Sequence, residues 1–104
     1  PPIEALRAWL LVFIDYIAAK KIIAPALNAM AGGPSRVFQQ TTQMMEEAAH
    51  ALASHAIASG DLRPDVDPID LMRAIHGLST AGSADDWPAK ARKFVDILLQ
   101  GSRP

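Results

Sequence analysis

The sequence has no cysteine among its 104 residues, which excludes disulfides, thiolate zinc sites and cysteine nucleophiles. Aromatic residues are scarce, at two Trp, one Tyr and three Phe. Neither sign of charge dominates: ten Lys and Arg stand against eleven Asp and Glu, for a formal charge of −1. No basic run forms a stripe that could follow a phosphate backbone, so the chain by itself is a poor nucleic-acid binder. The most apolar stretch, residues 8–19, is interrupted by Asp15 and is too short to cross a bilayer, so no membrane partner is expected. Nothing at the start has the form of a signal peptide, which leads to the expectation of a cytoplasmic protein. The absence of an initial Met suggests a piece of a longer chain. No segment alternates with the period of a strand, and no glycine-rich phosphate loop or nucleophile elbow is present.

What remains is helical. Half of the residues are hydrophobic and alanine is abundant, which favours helices packed closely around a single core. Glycine, proline and aspartate punctuation divides the chain into five expected helices, and the fold class is all-α. The first runs from about Pro2 to Lys20, with proline in its first turn where a missing N–H costs nothing. Ile3, Leu6, Trp9, Leu10, Phe13, Ile14, Tyr16 and Ile17 cover more than half of its circumference, as expected of a helix covered on two sides. A short second helix is expected around Ile22 to Met30, with Pro25 in its first turn and Ala31-Gly32-Gly33 as its stop. The third, from about Pro34 to Ser59, carries Phe38, Thr41, Met45, Ala48, Leu52, His55 and Ser59 on one stripe.

Gly60 supplies a left-handed stop, and the acidic connector that follows should tuck Leu62 and Val66 inward. Asp67 caps the fourth helix, with Pro68 at its first position, and the helix continues to about Thr80. A stripe of small residues, Ala74, Gly77 and Ala81, would let two helix backbones approach closely. The fifth helix opens near Asp86-Trp87-Pro88 and runs to Gln100, with Trp87, Ala91, Phe94, Val95, Leu98 and Leu99 inward. Arg92, Lys93, Asp96 and Gln100 stay outside.

Catalytic chemistry lacks parts. Glu47-Ala-Ala-His50 has the Glu-x-x-His spacing of helical di-metal sites, but such sites need a second copy and two further Glu from facing helices. Glu47 and His50 are therefore an exposed pair on a polar face, and no cofactor or metal is expected. His55 and His76 fall among apolar positions. Each is either a core histidine bonded to a carbonyl or carboxylate, or a polar handle in an otherwise apolar pocket. Asp15 is expected to be a solvated charge, and Asp70 to meet Arg73 one turn on.

Three stretches taken in order resemble the C-terminal domain of TetR-family transcription regulators: IEALRAWLLVFIDYIAAKK, then HAIASGDLRPDVDPIDLMRAIHGL, then the terminal FVDILLQGSRP. The resemblance implies that the first three helices enclose an effector pocket. It also implies that the last two pack against their copies in a second subunit as a four-helix bundle. DNA would be bound only through an N-terminal helix-turn-helix domain absent from this chain. On that basis a small, largely apolar or aromatic effector is expected against Trp9, Phe13 and Tyr16 of the first helix. Phe38, Thr41, Met45, Leu52 and His55 would face them, with Met30 and His76 closing the ends. A homodimer is expected through Ile69, Met72, Ala74, Gly77 and Ala81 of the fourth helix, with Phe94 and Ile97 of the fifth. The alternative is a helical protein–protein dimerisation module with a packed core and no ligand pocket.

Overall fold

The structure is a computed structural model. It describes the backbone of residues 1–28, 35–80 and 86–104, and within those the side chains of residues 1–20, 41–80 and 86–104. Four helices account for almost all of it: α1 (Pro2–Asn28), α2 (Ser35–Ala58), α3 (Pro68–Thr80) and α4 (Trp87–Gly101). Among the described residues there is no strand. The expected break after Lys20 does not occur, because α1 continues unbroken through Pro25 to Asn28. Residues 17–24 contain no glycine, proline or side-chain cap that would stop a helix. Pro25 removes only the one donor that would have reached the Lys21 carbonyl, close to where the helix ends.

α1 is the axis of the domain and packs against each of the other three helices, whereas among the described residues α2 and α4 make no contact. It buries Leu6, Leu10, Phe13, Ile14 and Ile17, and packs Ile3, Trp9, Leu11 and Tyr16 against their edges. This is the two-sided coverage that its wide apolar arc predicts. α4 contributes Ala91, Val95 and Leu99 at successive i, i+4 positions, and α3 contributes Leu71, Met72 and Ile75.

α2 is turned by about one residue from expectation. Its buried line is Ala49, Ala53 and Ala56, with Met45 and Leu52 beside it, while His55 and Ser59 are exposed. Small alanines let a helix pack closely against its neighbours, here α1 and α3, and this line is buried in place of the larger side chains that the hydropathy pattern favours.

The connector between α2 and α3 closes the end of the bundle. Gly60 has φ +82°, and its N–H donates to the Ile57 carbonyl while the Asp61 N–H donates back to Ala56 (3.0 Å each). Together these form a Schellman cap. The cap turns Leu62 into the core at 1% exposure. One residue on, the Arg63 N–H donates to the Ser102 carbonyl at 2.8 Å and ties the loop to the end of α4. Asp67 then caps α3, its carboxylate accepting from the Ile69 N–H at 2.9 Å. Asp15 is not simply solvated: it accepts from Arg92 of α4 at 2.7 Å.

Candidate functional site

Phe13, Tyr16, Ile17 and Lys20 recur at i, i+3, i+4 and i+7 and so share one face of α1. Opposite them stand Thr42 and Met45 of α2, with Met72 and His76, one turn apart on α3. These eight side chains line a cavity of about 230 Å³. Its floor is apolar: Phe13, Ile17, Met45 and Met72 come from three different helices. Tyr16, Lys20, Thr42 and His76 bring its polar groups, and among the described residues no carboxylate lines the wall.

The aromatic side of the cavity is held rigidly. Trp9 stacks on Phe13 with ring centroids 5.6 Å apart and planes 6° from parallel. Phe13 in turn stacks on Tyr16 at 6.4 Å and 20°. Such a ladder fixes side chains that would otherwise choose between rotamers. At its end the Tyr16 hydroxyl is buried and finds no hydrogen-bond partner among the described residues. Burial pushes its pKa up from 10.0, because the phenolate would lose more hydration than the phenol. A buried hydroxyl without a partner costs about 1–3 kcal/mol.

Of the residues expected to contact an effector, Phe13, Tyr16, Met45 and His76 meet at this cavity. Trp9 supports it from behind through the stack on Phe13. Thr41 and Leu52 are half-buried away from the lining, and His55 faces solvent because α2 is turned. Met30 lies outside the described residues, as does the side chain of Phe38. Ile17, Lys20 and Thr42 were not foreseen, although continuing the Phe13 stripe by four and seven residues reaches the first two. Met72, expected at a dimer interface, is instead buried within the chain at 6% exposure and lines the cavity. It sits one residue round the helix from Arg73, on the side that α1 covers.

The remaining dimer candidates are mostly on the outside. Ile97 is 59% exposed, Phe94 and Ala74 are half-buried, and Gly77 is exposed. Ile69 packs partly against the core, and Ala81 lies outside the described residues. A second depression, about 260 Å³, lies between the ends of α1 and α4, where Glu4, Arg7, Asp96 and Arg103 meet Ile3, Leu99 and Gln100. There Arg7 and Asp96 already satisfy each other. Glu47 and His50 are both exposed, and among the described residues no three His, Asp or Glu side chains cluster to hold a metal ion.

The whole chain, residues 1–104, matches the family described as transcriptional regulator SbtR-like, C-terminal domain. It belongs to that family of TetR regulators. The crystal structure of the TetR transcriptional regulator SCO0520 from Streptomyces coelicolor superposes on this SbtR-like domain with a TM-score of 0.85 and 39% sequence identity. The match covers 100% of this chain but 59% of that regulator, so the SbtR-like domain spans about three-fifths of its length. No protein with a curated description matches the chain. Among the described residues, no helix is long and apolar enough to cross a membrane.

Proposed function

We propose that this SbtR-like domain is the effector-sensing and dimerising part of a cytoplasmic TetR-family regulator. It binds a small, largely apolar molecule in the cavity between α1, α2 and α3, and controls DNA binding by a domain outside this chain. The observation that carries this reading is the cavity itself, a pre-formed, largely apolar space that Phe13, Tyr16, Ile17, Met45 and Met72 of three helices enclose. Homodimerisation would use the outer faces of α3 and α4. Support comes from Gly77, where an added Cβ would meet nothing within 4 Å of its own chain, and from Ile97, a large apolar side chain left in solvent. An effector would act only through unequal affinity for two arrangements of the dimer, since equal affinity shifts nothing.

Thermal unfolding against a set of small aromatic and aliphatic compounds tests the proposal. Binding to the folded state at a hundred times Kd adds about 2.7 kcal/mol of stability. Met45→Trp, which fills the cavity, should abolish that gain while leaving the fold intact. If no compound stabilises the protein and it still dimerises, the domain is a dimerisation module without a ligand pocket.

A further inference from the structure

Taking the cavity as the ligand site, we infer that it selects one-ended amphiphiles. Such a molecule has an apolar body of about one ring or six carbons, with its hydrogen-bonding groups gathered at a single end. The body lies on the floor, and the polar end sits at a mouth formed by Thr42 and His76. Size follows from the space itself. A dry cavity of about 150 Å³ accommodates benzene, and the volume here, about 230 Å³, leaves room for a head group beside a body of that bulk.

Depth sorts the lining into two kinds. Phe13, Ile17 and Met72 are buried at 7%, 3% and 6% exposure, with half-buried Met45 beside them. None of the four side chains carries a hydrogen-bonding oxygen or nitrogen. The Tyr16 hydroxyl does not supply one, because it has almost no accessible surface; what Tyr16 gives a ligand is its ring. Lys20 lines the cavity as well but already has an interaction partner. Thr42 of α2 and His76 of α3 differ from all of these, since they line the same cavity and are exposed to solvent. The cavity therefore opens beside them.

A hydroxyl and a neutral imidazole can each donate and accept, so the mouth suits an alcohol, a phenol or a carbonyl. A ligand hydroxyl on the floor loses its water and finds no replacement partner. The same hydroxyl at the mouth keeps its water or exchanges it for Thr42 or His76. Where a ligand carries its polar groups, more than how many it carries, decides how well it binds.

The test compares two isomers, hexane-1,2-diol and hexane-1,6-diol, in titrations of the protein followed by NMR, with hexan-1-ol and toluene as references. The first isomer has both hydroxyls at one end, and the second has one at each end. The first should bind about tenfold tighter, the penalty for setting one hydroxyl against the floor. Intermolecular NOEs should join its methyl end to Phe13 and Met72 and its hydroxyl end to His76. Met72→Gln, which places an amide on the floor, should bring the two isomers together. Equal binding of the isomers by the unaltered protein, tighter binding of the two-ended one, or a methyl end at His76 overturns the amphiphile assignment while leaving the cavity a ligand site. Binding of a reference but of neither diol does the same. A preference that survives Met72→Gln in a folded variant places the apolar end elsewhere and overturns it too. Where that variant does not fold, the isomer ratio and the NOEs of the unaltered protein decide. If none of the probes binds, the amphiphile assignment and the ligand-site reading fall together.

Discussion

Arg7 and Asp96 meet across the seam between α1 and α4, with Nε 2.6 Å from Oδ1, although 89 positions separate them in the sequence. Two turns further along α1, Asp15 meets Arg92 at 2.7 Å. The order of charges is thus inverted between the helices: Arg then Asp along α1, and Arg then Asp along an α4 that runs the other way. Sliding α4 by one turn would set Arg92 against Arg7 and replace attraction with repulsion. Both pairs are exposed, so they contribute more to register than to stability.

Asp96→Arg should therefore lower the melting temperature by no more than a few degrees. The Arg7→Asp, Asp96→Arg double variant should recover most of the loss, and high salt should shrink both effects. The Arg7 hydrogen bond, reinforced by its charge, holds the Asp96 carboxyl below the usual carboxylate range. That contribution is present above the unfolded-state value and is lost as pH falls through the folded one. Arg7→Gln should move the Asp96 midpoint back up in an NMR titration, and an unmoved midpoint would show that the two groups do not meet in solution.

Tyr16 is the single tyrosine in the sequence, so its phenolate absorbance reports on one site. Burial raises its folded-state pKa above 10.0. Ionisation is therefore easier in the unfolded chain, so stability is unchanged below the unfolded-state value and falls as pH rises from there through the folded one. Spectrophotometric titration should give a midpoint above that of the urea-unfolded chain. A midpoint equal to it would place the hydroxyl in water rather than against the cavity.

Leu62 belongs to no helix yet is as buried as the centre of α1, at 1% exposure. Leu62→Ala should cost about 2–5 kcal/mol, as for a helical core leucine. Denaturant unfolding measures it, and a loss below about 1 kcal/mol would make the connector peripheral to the core.

Gly60→Ala isolates a backbone effect. An added Cβ would meet nothing within 4 Å, so the cost is that of holding alanine at φ +82°, about 1–2 kcal/mol. Gly60→Asn should cost less, since asparagine tolerates the left-handed region better. Equal losses for the two would point away from backbone strain.

The all-α class, the Gly60 stop, the Asp67 cap and the Ala91, Val95 and Leu99 face of α4 were legible because each depends on a local rule acting within one or two turns. Two features were not. The continuity of α1 through Pro25 depends on the absence of any stop before it, and proline invites a boundary more strongly than it enforces one. The rotation of α2 depends on alanine, which carries little hydropathy signal but decides how closely backbones approach. That rotation moved His55 to the surface. The cavity was half visible: Phe13 and Tyr16 stand out by composition, whereas Thr42 and Met72 join them only through the packing of three helices.

α1 is also a lever. Its 27 residues make a rod about 40 Å long at 1.5 Å per residue, nearly the full 46 Å length of the molecule. The cavity grips it beyond its midpoint, leaving about 21 Å of helix between Tyr16 and Pro2. A tilt of about 5° at Tyr16 therefore carries the first turn sideways by nearly 2 Å, about a third of a helical pitch.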